Sequence, residues 1–231
     1  MTEDYWHLRN VDWMESLTQD ESELLQREST SRSYAPGEMI FTPTPSPSSV
    51  YLLEHGLVRI YRLSETGAEA TFGYVSPGEV FGELALFGIP VRESFAEAVI
   101  RSIVRKIPRA VFARLLETRP AMVLAVTKQI GERMRRIESR VENLVFRDVK
   151  SRVARMLLEL ADDFGRSEGC GTVIDLPLTQ GDLATLVGSV RQTVNDALRQ
   201  FEQAGWIRQV ERQIVIVKRD ELQRLTQRLP G

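Results

Sequence analysis

The sequence predicts a mixed α+β fold: an N-terminal β-roll, then a long helix, then a C-terminal winged helix-turn-helix domain. Three observations lead to this prediction. Short β-branched runs separated by glycine turns occupy residues 33–107, apolar residues recur at alternating steps of four and three between positions 123 and 144, and two short helical patterns followed by two strand-like runs lie near the C-terminus. We therefore expect three parts, at residues 1–118, 119–147 and 148–231.

The composition is typical of a globular protein. The chain has 231 residues, of which 42% are hydrophobic and 27% charged, and its formal net charge of −2 neither favours nor excludes nucleic acid as a partner. Its single cysteine, Cys170, cannot form an internal disulfide bond. No apolar run approaches the roughly 18 residues of a membrane span, and Met1 to Asp12 lacks the apolar core of a signal peptide. These features predict a cytoplasmic protein with no membrane partner.

The first part begins with short helices and continues as strands. Thr18 followed three residues later by Glu21 is a capping-box signal for the start of a helix. Pro36-Gly37 and Pro77-Gly78 begin a repeated Pro-Gly-Glu-apolar pattern that suits two equivalent turns of a β-roll, although Pro-Gly is also a common turn dipeptide. The strand-like runs are Val50 to Leu53, Leu57 to Leu63, Ala70 to Val75 and Ala96 to Ile107, and Thr42 to Ser49 is expected to be a surface loop.

A helical pattern extends from Pro108 to about Phe146 and contains a narrow apolar seam with heptad spacing. Such a seam, flanked by polar residues, predicts pairing with a second copy of the chain as a parallel homodimer. The alternative is that the stripe packs on its own β-roll, and one helix can do both. The seam positions are Val123, Thr127, Ile130, Met134, Ile137, Val141 and Leu144.

The third part has the element order of a winged helix domain. The expected elements are a helix at Val149 to Phe164, a glycine-rich loop at Gly165 to Gly171, a strand at Val173 to Leu176, two short helices, and strands at Ile207 to Val210 and Ile214 to Val217. A basic edge on the last two strands suits DNA phosphates, and ordinary solvated charges are the alternative. The residues of this edge are Arg208, Arg212, Lys218 and Arg219.

Residues 178–199 give the most specific signal in the chain. Thr179 is a predicted N-cap, and Gly188 permits a sharp turn between two short helices. An apolar face on each helix predicts that the pair packs together as a helix-turn-helix. The predicted buried residues are Leu183, Leu186, Val187, Val194, Ala197 and Leu198.

The outward face of the second helix predicts a DNA contact. Arg191 can pair bidentately with guanine and Gln192 with adenine, so these two residues are the predicted base contacts. Ser189 and Thr193 carry short hydroxyl side chains that suit phosphate oxygens. A solvated surface role is the alternative for each residue. Thr179, Asn195, Asp196 and Arg199 complete the predicted DNA-binding set.

Two segments on either side of the long helix resemble the Crp/Fnr family of bacterial transcription regulators. The run Val80-Phe81-Gly82-Glu83-Leu84-Ala85-Leu86-Phe87 is similar to the phosphate-binding cassette of cyclic-nucleotide-binding jelly rolls. The stretch from Val141 to Val149, together with the helix from Gly188 to Leu198, resembles the hinge and the DNA-contacting helix of these regulators. The resemblance covers residues 12 to 220, approximately.

This resemblance implies a homodimer that binds a near-palindromic site in double-stranded DNA and contacts RNA polymerase, usually to activate transcription. Arg191 matches the arginine that contacts guanine in the family. Gln192 stands where a glutamate is common, and Asp196 stands where an arginine is common. The DNA sequence of each half-site is therefore expected to differ from the one that is usual in the family.

The resemblance also implies an effector pocket, in which this chain departs from the cyclic-AMP-binding pattern. Glu83 and Arg92 match the residues that hold the ribose hydroxyl and the cyclic phosphate in relatives that bind cyclic AMP. Glu93 stands at the position of the phosphate-binding serine, unless a shift of one residue lets Ser94 serve. Ile137 and Glu138 stand where those relatives have a threonine and a serine near the adenine. The candidate pocket residues are Gly82, Glu83, Leu84, Arg92, Glu93, Ser94, Ile137 and Glu138.

These departures disfavour cyclic AMP, because a carboxylate beside a phosphate adds like-charge repulsion and an aliphatic side chain cannot bond to adenine. The cysteine set of an iron–sulfur cluster is missing, and His7 and His55 are expected to be surface or turn residues rather than haem ligands. We expect no cofactor, and either activity without a small effector or an effector of unknown class. In the first case, salt bridges among Glu83, Arg92, Glu93 and Glu138 would occupy the pocket.

The sequence also bears on three alternative classes of protein. An enzyme would need a catalytic motif, and the GxSxG, HExxH, P-loop and dinucleotide fingerprints are all missing from the sequence. A regulator with a modified pocket could respond to another cyclic nucleotide. A scaffold with a cyclic-nucleotide-binding-like domain could use its C-terminal domain to bind protein, and an electrophoretic shift on promoter DNA separates this case from a DNA-binding regulator.

Overall fold

The computed structural model describes residues 17–87, 91–169, 171–174, 176, 179–210 and 213–227, and of Ala85 and Phe87 it describes the backbone. Met1 to Asp12, His7, Cys170 and Arg212 lie outside the described residues. The described chain forms two compact units. The first includes the residues up to Arg62 together with Phe72–Met134, and the second includes Leu63–Thr71 together with the residues from Arg135 onwards.

The N-terminal part is the predicted β-roll with its helices. Two four-stranded sheets, ordered β1-β8-β3-β6 and β2-β7-β4-β5, form the roll, which confirms this part of the predicted α+β fold. The elements are α1 (Gln19–Glu28), β1 (Thr30–Tyr34), β2 (Met39–Phe41), β3 (Ser49–His55), β4 (Val58–Leu63), β5 (Glu69–Val75), β6 (Val80–Phe81), a 3-10 helix (Glu83–Phe87), β7 (Phe95–Ala98), β8 (Ser102–Pro108), α2 (Arg109–Thr118) and the beginning of α3 (Pro120–Phe146).

The strand-like run from Ala96 to Ile107 forms two strands rather than one. β7 pairs with β2 and β4, whereas β8 pairs with β1 and β3, so the chain passes from one sheet to the other between Ala98 and Ser102. Ala96, Ala98 and Val104 belong to the same core cluster. Because both strands face that core, the apolar alternation alone does not reveal the crossover.

The two Pro-Gly-Glu segments form equivalent turns. Gly37 and Gly78 have φ angles of +80° and +85°, a backbone conformation that glycine adopts without steric cost. In each turn the backbone N–H two residues before the glycine donates to the side chain of the following glutamate, Glu38 or Glu79, at 2.9 Å. The repeated pattern in the sequence therefore corresponds to a repeated structure.

The helical pattern after Pro108 forms two helices, because Pro120 begins a new one. Arg119 lies between them with φ −128° and ψ 91°, an extended conformation that a following proline favours. Pro120 occupies the first position of α3, where its missing N–H leaves no helical bond unmade. The buried residues of α2 and α3 in the core of the roll are Phe112, Leu115, Met122 and Val126.

The C-terminal part has the predicted winged helix arrangement. One four-stranded antiparallel sheet, ordered β11-β12-β10-β9, accompanies the helices. The elements are α4 (Val149–Phe164), β9 (Gly165–Glu168), β10 (Gly171–Ile174), α5 (Gln180–Val187), α6 (Arg191–Gln203), β11 (Ile207–Val210), β12 (Gln213–Ile216) and α7 (Arg219–Gln227).

Two features of this part differ from the prediction. Gly165–Glu168 forms strand β9 rather than a glycine-rich loop, because it pairs with β10 while Gly169, at φ +56°, turns the chain between the two strands. Arg219 is the first residue of α7 and donates to Asp162 of α4 at 2.6 Å. The expectation that Arg219 belongs to the basic edge of the wing is therefore wrong, because its guanidinium joins two helices of the domain.

Candidate nucleic-acid interface and effector pocket

The turn between α5 and α6 is fixed at both ends of α5. The Oγ1 of Thr179 accepts a hydrogen bond from the Asp182 N–H at 3.1 Å, and the Thr179 N–H donates to the Asp182 carboxylate at 2.8 Å. α5 ends at Gly188, which has a φ angle of +66° in the left-handed region. A Cβ atom at Gly188 would lie 2.7 Å from Cδ2 of Leu144. Glycine at this position thus provides both the turn and the space for the C-terminal end of α3.

The reader helix, as we call α6 from here on, buries one side and exposes the other. The buried residues Val194, Ala197, Leu198 and Phe201 are at most 5% exposed. The predicted contact residues lie on the other side. Of these, Arg191, Gln192, Thr193, Asp196 and Arg199 are exposed, as is Thr179, whereas Ser189 and Asn195 are half-buried.

Asn195 has an internal role that the sequence did not indicate. Its Oδ1 accepts a hydrogen bond from Nε2 of Gln180 at 3.0 Å, which joins α5 to the reader helix.

The residue before the reader helix was also not predicted as a contact. Val190 is 66% exposed and immediately precedes Arg191. An apolar residue between Ser189 and Arg191 is the sequence signal that could have identified it.

The wing keeps part of its predicted basic edge. Arg208 on β11 and Lys218 after β12 are exposed. Arg219 is engaged with Asp162, as described above. Because their side chains are exposed, Arg208 and Lys218 remain candidates for phosphate contacts among the described wing residues.

The predicted seam of α3 is mostly exposed in the single chain. Val123, Met134, Ile137, Val141 and Leu144 are between 39% and 60% exposed. Thr127 is also exposed. Ile130 differs from these because it packs against the core cluster of the β-roll. A separate stripe of α3, which includes Met122 and Val126, is buried on the roll. The helix therefore has one apolar side covered within the protomer and another largely uncovered.

Arg92 lies inside the β-roll, at the position that matches phosphate binding. Its Nη2 donates to the carbonyl oxygens of Ser49 at 2.7 Å and Gly82 at 3.2 Å. The guanidinium carbon lies 4.1 Å from the ring centroid of Phe41 and 5.2 Å from that of Tyr51. Burial lowers the pKa of Arg92, and the neighbouring Tyr51 and Glu83 oppose this shift. The side chain is thus held by backbone carbonyls and aromatic rings.

Glu83 pairs with Arg133 of α3 and not with Arg92. The distance from Arg133 Nη1 to Glu83 Oε1 is 3.1 Å, and Arg133 Nη2 also donates to the Val80 carbonyl at 2.6 Å. Gln129, one turn earlier, accepts from the Val80 N–H at 3.2 Å. Neither Gln129 nor Arg133 was among the predicted pocket residues. Their signal is the helical spacing of three and then four residues after Val126, which continues the roll-facing stripe of α3.

The other pocket candidates are not brought together as predicted. Glu93 pairs with Arg62 at 2.7 Å, and about half of each side chain is exposed. Salt bridges were predicted among Glu83, Arg92, Glu93 and Glu138. This prediction is wrong for the first three residues, because Glu83 pairs with Arg133, Glu93 pairs with Arg62, and Arg92 donates to backbone carbonyls. Leu84 is 47% exposed. Ser94 is half-buried beside Glu93, and Ile137 and Glu138 are exposed residues of the second unit.

Neither a metal site nor a membrane span is found in the described residues. Among them no group of three or more His, Cys, Asp or Glu side chains is arranged to hold a metal ion. None of their helices is long and apolar enough to cross a membrane. His55 is exposed at the end of β3.

Two protein-family models match the chain. The Crp-like helix-turn-helix domain matches residues 151–225, and the cyclic nucleotide-binding domain matches residues 31–119. A CRP-like cAMP-activated global transcriptional regulator of Mycobacterium tuberculosis is 32% identical over 188 residues, which cover 81% of this chain and 84% of that protein. The transcriptional regulator SdrP of Thermus thermophilus is 33% identical over 178 residues, which cover 76% of this chain and 84% of that protein.

Solved structures of transcription regulators also superpose on this chain. A transcriptional regulator of the CRP/FNR family from Thermus thermophilus superposes with a TM-score of 0.73 and 28% identity, covering 87% of this chain and 100% of that one. FixK2 from Bradyrhizobium japonicum superposes with a TM-score of 0.75 and 27% identity, covering 85% of this chain and 96% of that one.

Proposed function

This chain belongs to the Crp/Fnr family of transcription regulators, and we propose that it binds a near-palindromic DNA site as a homodimer. It is a regulator with a DNA-binding helix-turn-helix domain and a cyclic nucleotide-binding domain. In our proposal, residues 1–118 are the sensor, residues 119–147 the dimerisation helix and residues 148–231 the DNA-binding domain. The relatives are transcription regulators, and we propose regulation rather than catalysis as the activity of this chain.

The observation that carries the proposal is the amphipathic reader helix. Its apolar side is buried, while Arg191 and Gln192 are exposed at its N-terminal end. In helix-turn-helix proteins this end of the second helix enters the major groove. Arg191 is proposed to contact guanine and Gln192 to contact adenine, each through two hydrogen bonds.

Other side chains around the reader helix are proposed to hold the DNA backbone. Thr193 is exposed one residue after Gln192, and Ser189 lies in the turn before the helix. Contacts of this kind fix the position of the protein on DNA without selecting sequence. The proposed backbone contacts are Thr179, Ser189, Thr193, Arg199, Arg208 and Lys218, and Asp196 faces the same side.

The dimer follows from the uncovered seam of α3. Val123, Met134, Ile137, Val141 and Leu144 are each at least 39% exposed, and burying them against a second copy would remove this apolar surface from water. A two-fold dimer presents two reader helices, which explains why a near-palindromic site is expected.

The effector is proposed not to be cyclic AMP. Glu83 is 5% exposed and already pairs with Arg133 at 3.1 Å. A ribose hydroxyl would have to compete with this ion pair. Glu93, at the phosphate-binding serine position, offers no hydroxyl donor to a cyclic phosphate, and its carboxylate pairs with Arg62. The chain is therefore proposed to be active without an effector, or to respond to an effector of another class.

The regulator is proposed to act in the cytoplasm and to contact RNA polymerase, in most cases as an activator. This part of the proposal rests on family membership. Comparing transcription from a target promoter with and without the protein distinguishes activation from repression.

The DNA-binding proposal is tested by titrating the protein against duplex DNA at several salt concentrations. A dimer that neutralises about 6 to 10 phosphates should lose affinity by roughly 10³- to 10⁵-fold between 50 mM and 200 mM salt. Failure to retard any duplex at low salt would overturn the proposal and would favour a protein-binding scaffold.

A further inference from the structure

Val190 is an exposed apolar side chain at the DNA-facing end of the reader helix. It is 66% exposed, and within the described residues 179–203 it is the one large apolar side chain that is exposed. The other large apolar residues of this segment, such as Leu186, Val194 and Phe201, are at most 5% exposed. The packing of the domain therefore does not explain why position 190 is valine.

Helix stability does not explain this valine either. Val190 is the N-cap of the reader helix, with φ −83° and ψ 148°, and its side chain makes no capping hydrogen bond. Elsewhere in the chain Thr18, Asp148 and Thr179 cap their helices with side-chain oxygens. Residues with such an oxygen are favoured over valine at an N-cap. Valine here weakens the start of the helix.

The chemistry of the DNA major groove supplies a role for this side chain. We infer that Val190 is a specificity-determining residue that contacts the C5-methyl group of a thymine next to the base pair proposed for Arg191. This inference rests on the proposed function. The thymine methyl is the apolar group on the major-groove edges of the base pairs. A phosphate cannot be the partner of this side chain, because valine has no donor to offer it.

The contact makes a quantitative prediction for each half-site. Burial of one methyl group contributes about as much as burial of a CH₂ group, which corresponds to roughly a fourfold change in Kd. Replacing one thymine by deoxyuridine removes only the methyl group and leaves base pairing unchanged. A Val190→Ser variant removes the apolar partner and supplies a residue that is favoured at an N-cap. The domain should therefore stay folded in the variant.

The test compares the DNA affinity of the wild type and of two Val190 variants on a series of operators. The operator is first selected from a random pool, and each thymine is then replaced by deoxyuridine symmetrically in both half-sites. Fluorescence anisotropy at fixed salt gives Kd for the wild type, Val190→Ser and Val190→Ala. At one position the wild type should lose affinity about fourfold per half-site. Val190→Ser should be indifferent to the change, and Val190→Ala should show a smaller penalty than the wild type, because alanine keeps one methyl group that can contact thymine.

Val210→Ser is the matched control, because Val210 is also exposed, at 50%, but lies on the wing strand β11. This variant should keep the deoxyuridine penalty of the wild type. If no thymine shows a penalty that depends on residue 190, the inference about Val190 is overturned while the proposed function stands. If the wild type binds no site specifically, the proposed function itself fails.

Discussion

Two arginines illustrate how the surroundings of a residue decide its role in this chain. Arg92 is 9% exposed, donates to two backbone carbonyls and lies beside two aromatic rings. Arg191 is exposed at the start of the reader helix. A guanidinium group has five N–H donors in a fixed planar arrangement. Those of Arg92 help to hold the β-roll together, whereas those of Arg191 are proposed to contact a base.

The role of Arg191 is testable by truncation. Arg191→Ala should lower affinity for the selected operator by about 1 to 3 kcal/mol and leave non-specific binding nearly unchanged, because a bidentate base contact is made only at the correct base. Binding titrations on operator and on scrambled DNA measure both quantities. Arg224→Ala is the control, because Arg224 is exposed and pairs with Glu221 on α7. Equal losses on both DNAs would contradict a base contact.

At the scale of single elements, features that depend on residues close in sequence were predicted, whereas features that depend on pairing with distant residues were not. The Thr179 cap and the Gly188 turn were predicted because each depends on residues close in sequence. Strand β9 was not predicted, because its stability comes from pairing with β10, which a glycine-rich segment does not reveal. α7 was missed because its one buried residue, Leu222, gives a weak apolar pattern. The ion pair of Arg133 was not predicted, since its partner Glu83 is 50 residues away in the sequence.

Substitutions of two glycines near the turn of the helix-turn-helix should change the stability of the protein differently. Gly188→Ala should destabilise the protein by about 1 to 2 kcal/mol, because an L-residue is strained in the left-handed conformation. The added Cβ would also crowd Leu144. Gly181→Ala is the matched control within α5, where the nearest atom to an added Cβ is 3.4 Å away. It should be neutral or stabilise by up to about 1 kcal/mol. Denaturant unfolding measures both, and a similar change in the two variants would contradict this account.

The seam of α3 predicts the effect of a charge on assembly. Val141 is 56% exposed in the single chain, so Val141→Lys should leave the folded protomer intact. It should weaken the dimer at least tenfold, because an unpaired lysine at a seam position must be desolvated. Glu142→Lys places a lysine on the adjacent exposed position, away from the seam. Sedimentation velocity compares the two variants, and a Val141→Lys protein that dimerises like the wild type would argue against this seam.

At the scale of the whole molecule, attraction to DNA has to come from the placement of charges rather than from their total. The formal net charge is −2, so the potential near the reader helix depends on local arginines and lysines. In the first unit, Glu83 and Glu93 each pair with an arginine of the same chain. Because these two carboxylates are already paired, we propose a dimer whose DNA contacts do not require cyclic AMP.

Calorimetry tests whether the protein binds cyclic AMP. The wild type should show no saturable binding at micromolar nucleotide, because Arg133 pairs with Glu83 and Glu93 offers no hydroxyl donor to a phosphate. Glu93→Ser supplies a hydroxyl donor, so this variant should bind cyclic AMP more tightly than the wild type does. Micromolar binding by the wild type would show that the departures at Glu93, Ile137 and Glu138 do not exclude the nucleotide.

The most direct test of the central claim is sequencing of the DNA that the purified protein retains from a random pool. A symmetric dimer that places two copies of the reader helix in the major groove should enrich an inverted repeat. The half-site centres should lie about 10 to 10.5 base pairs apart, or a multiple of this distance. Enrichment of an asymmetric single motif, or of no motif at all, would contradict the claim.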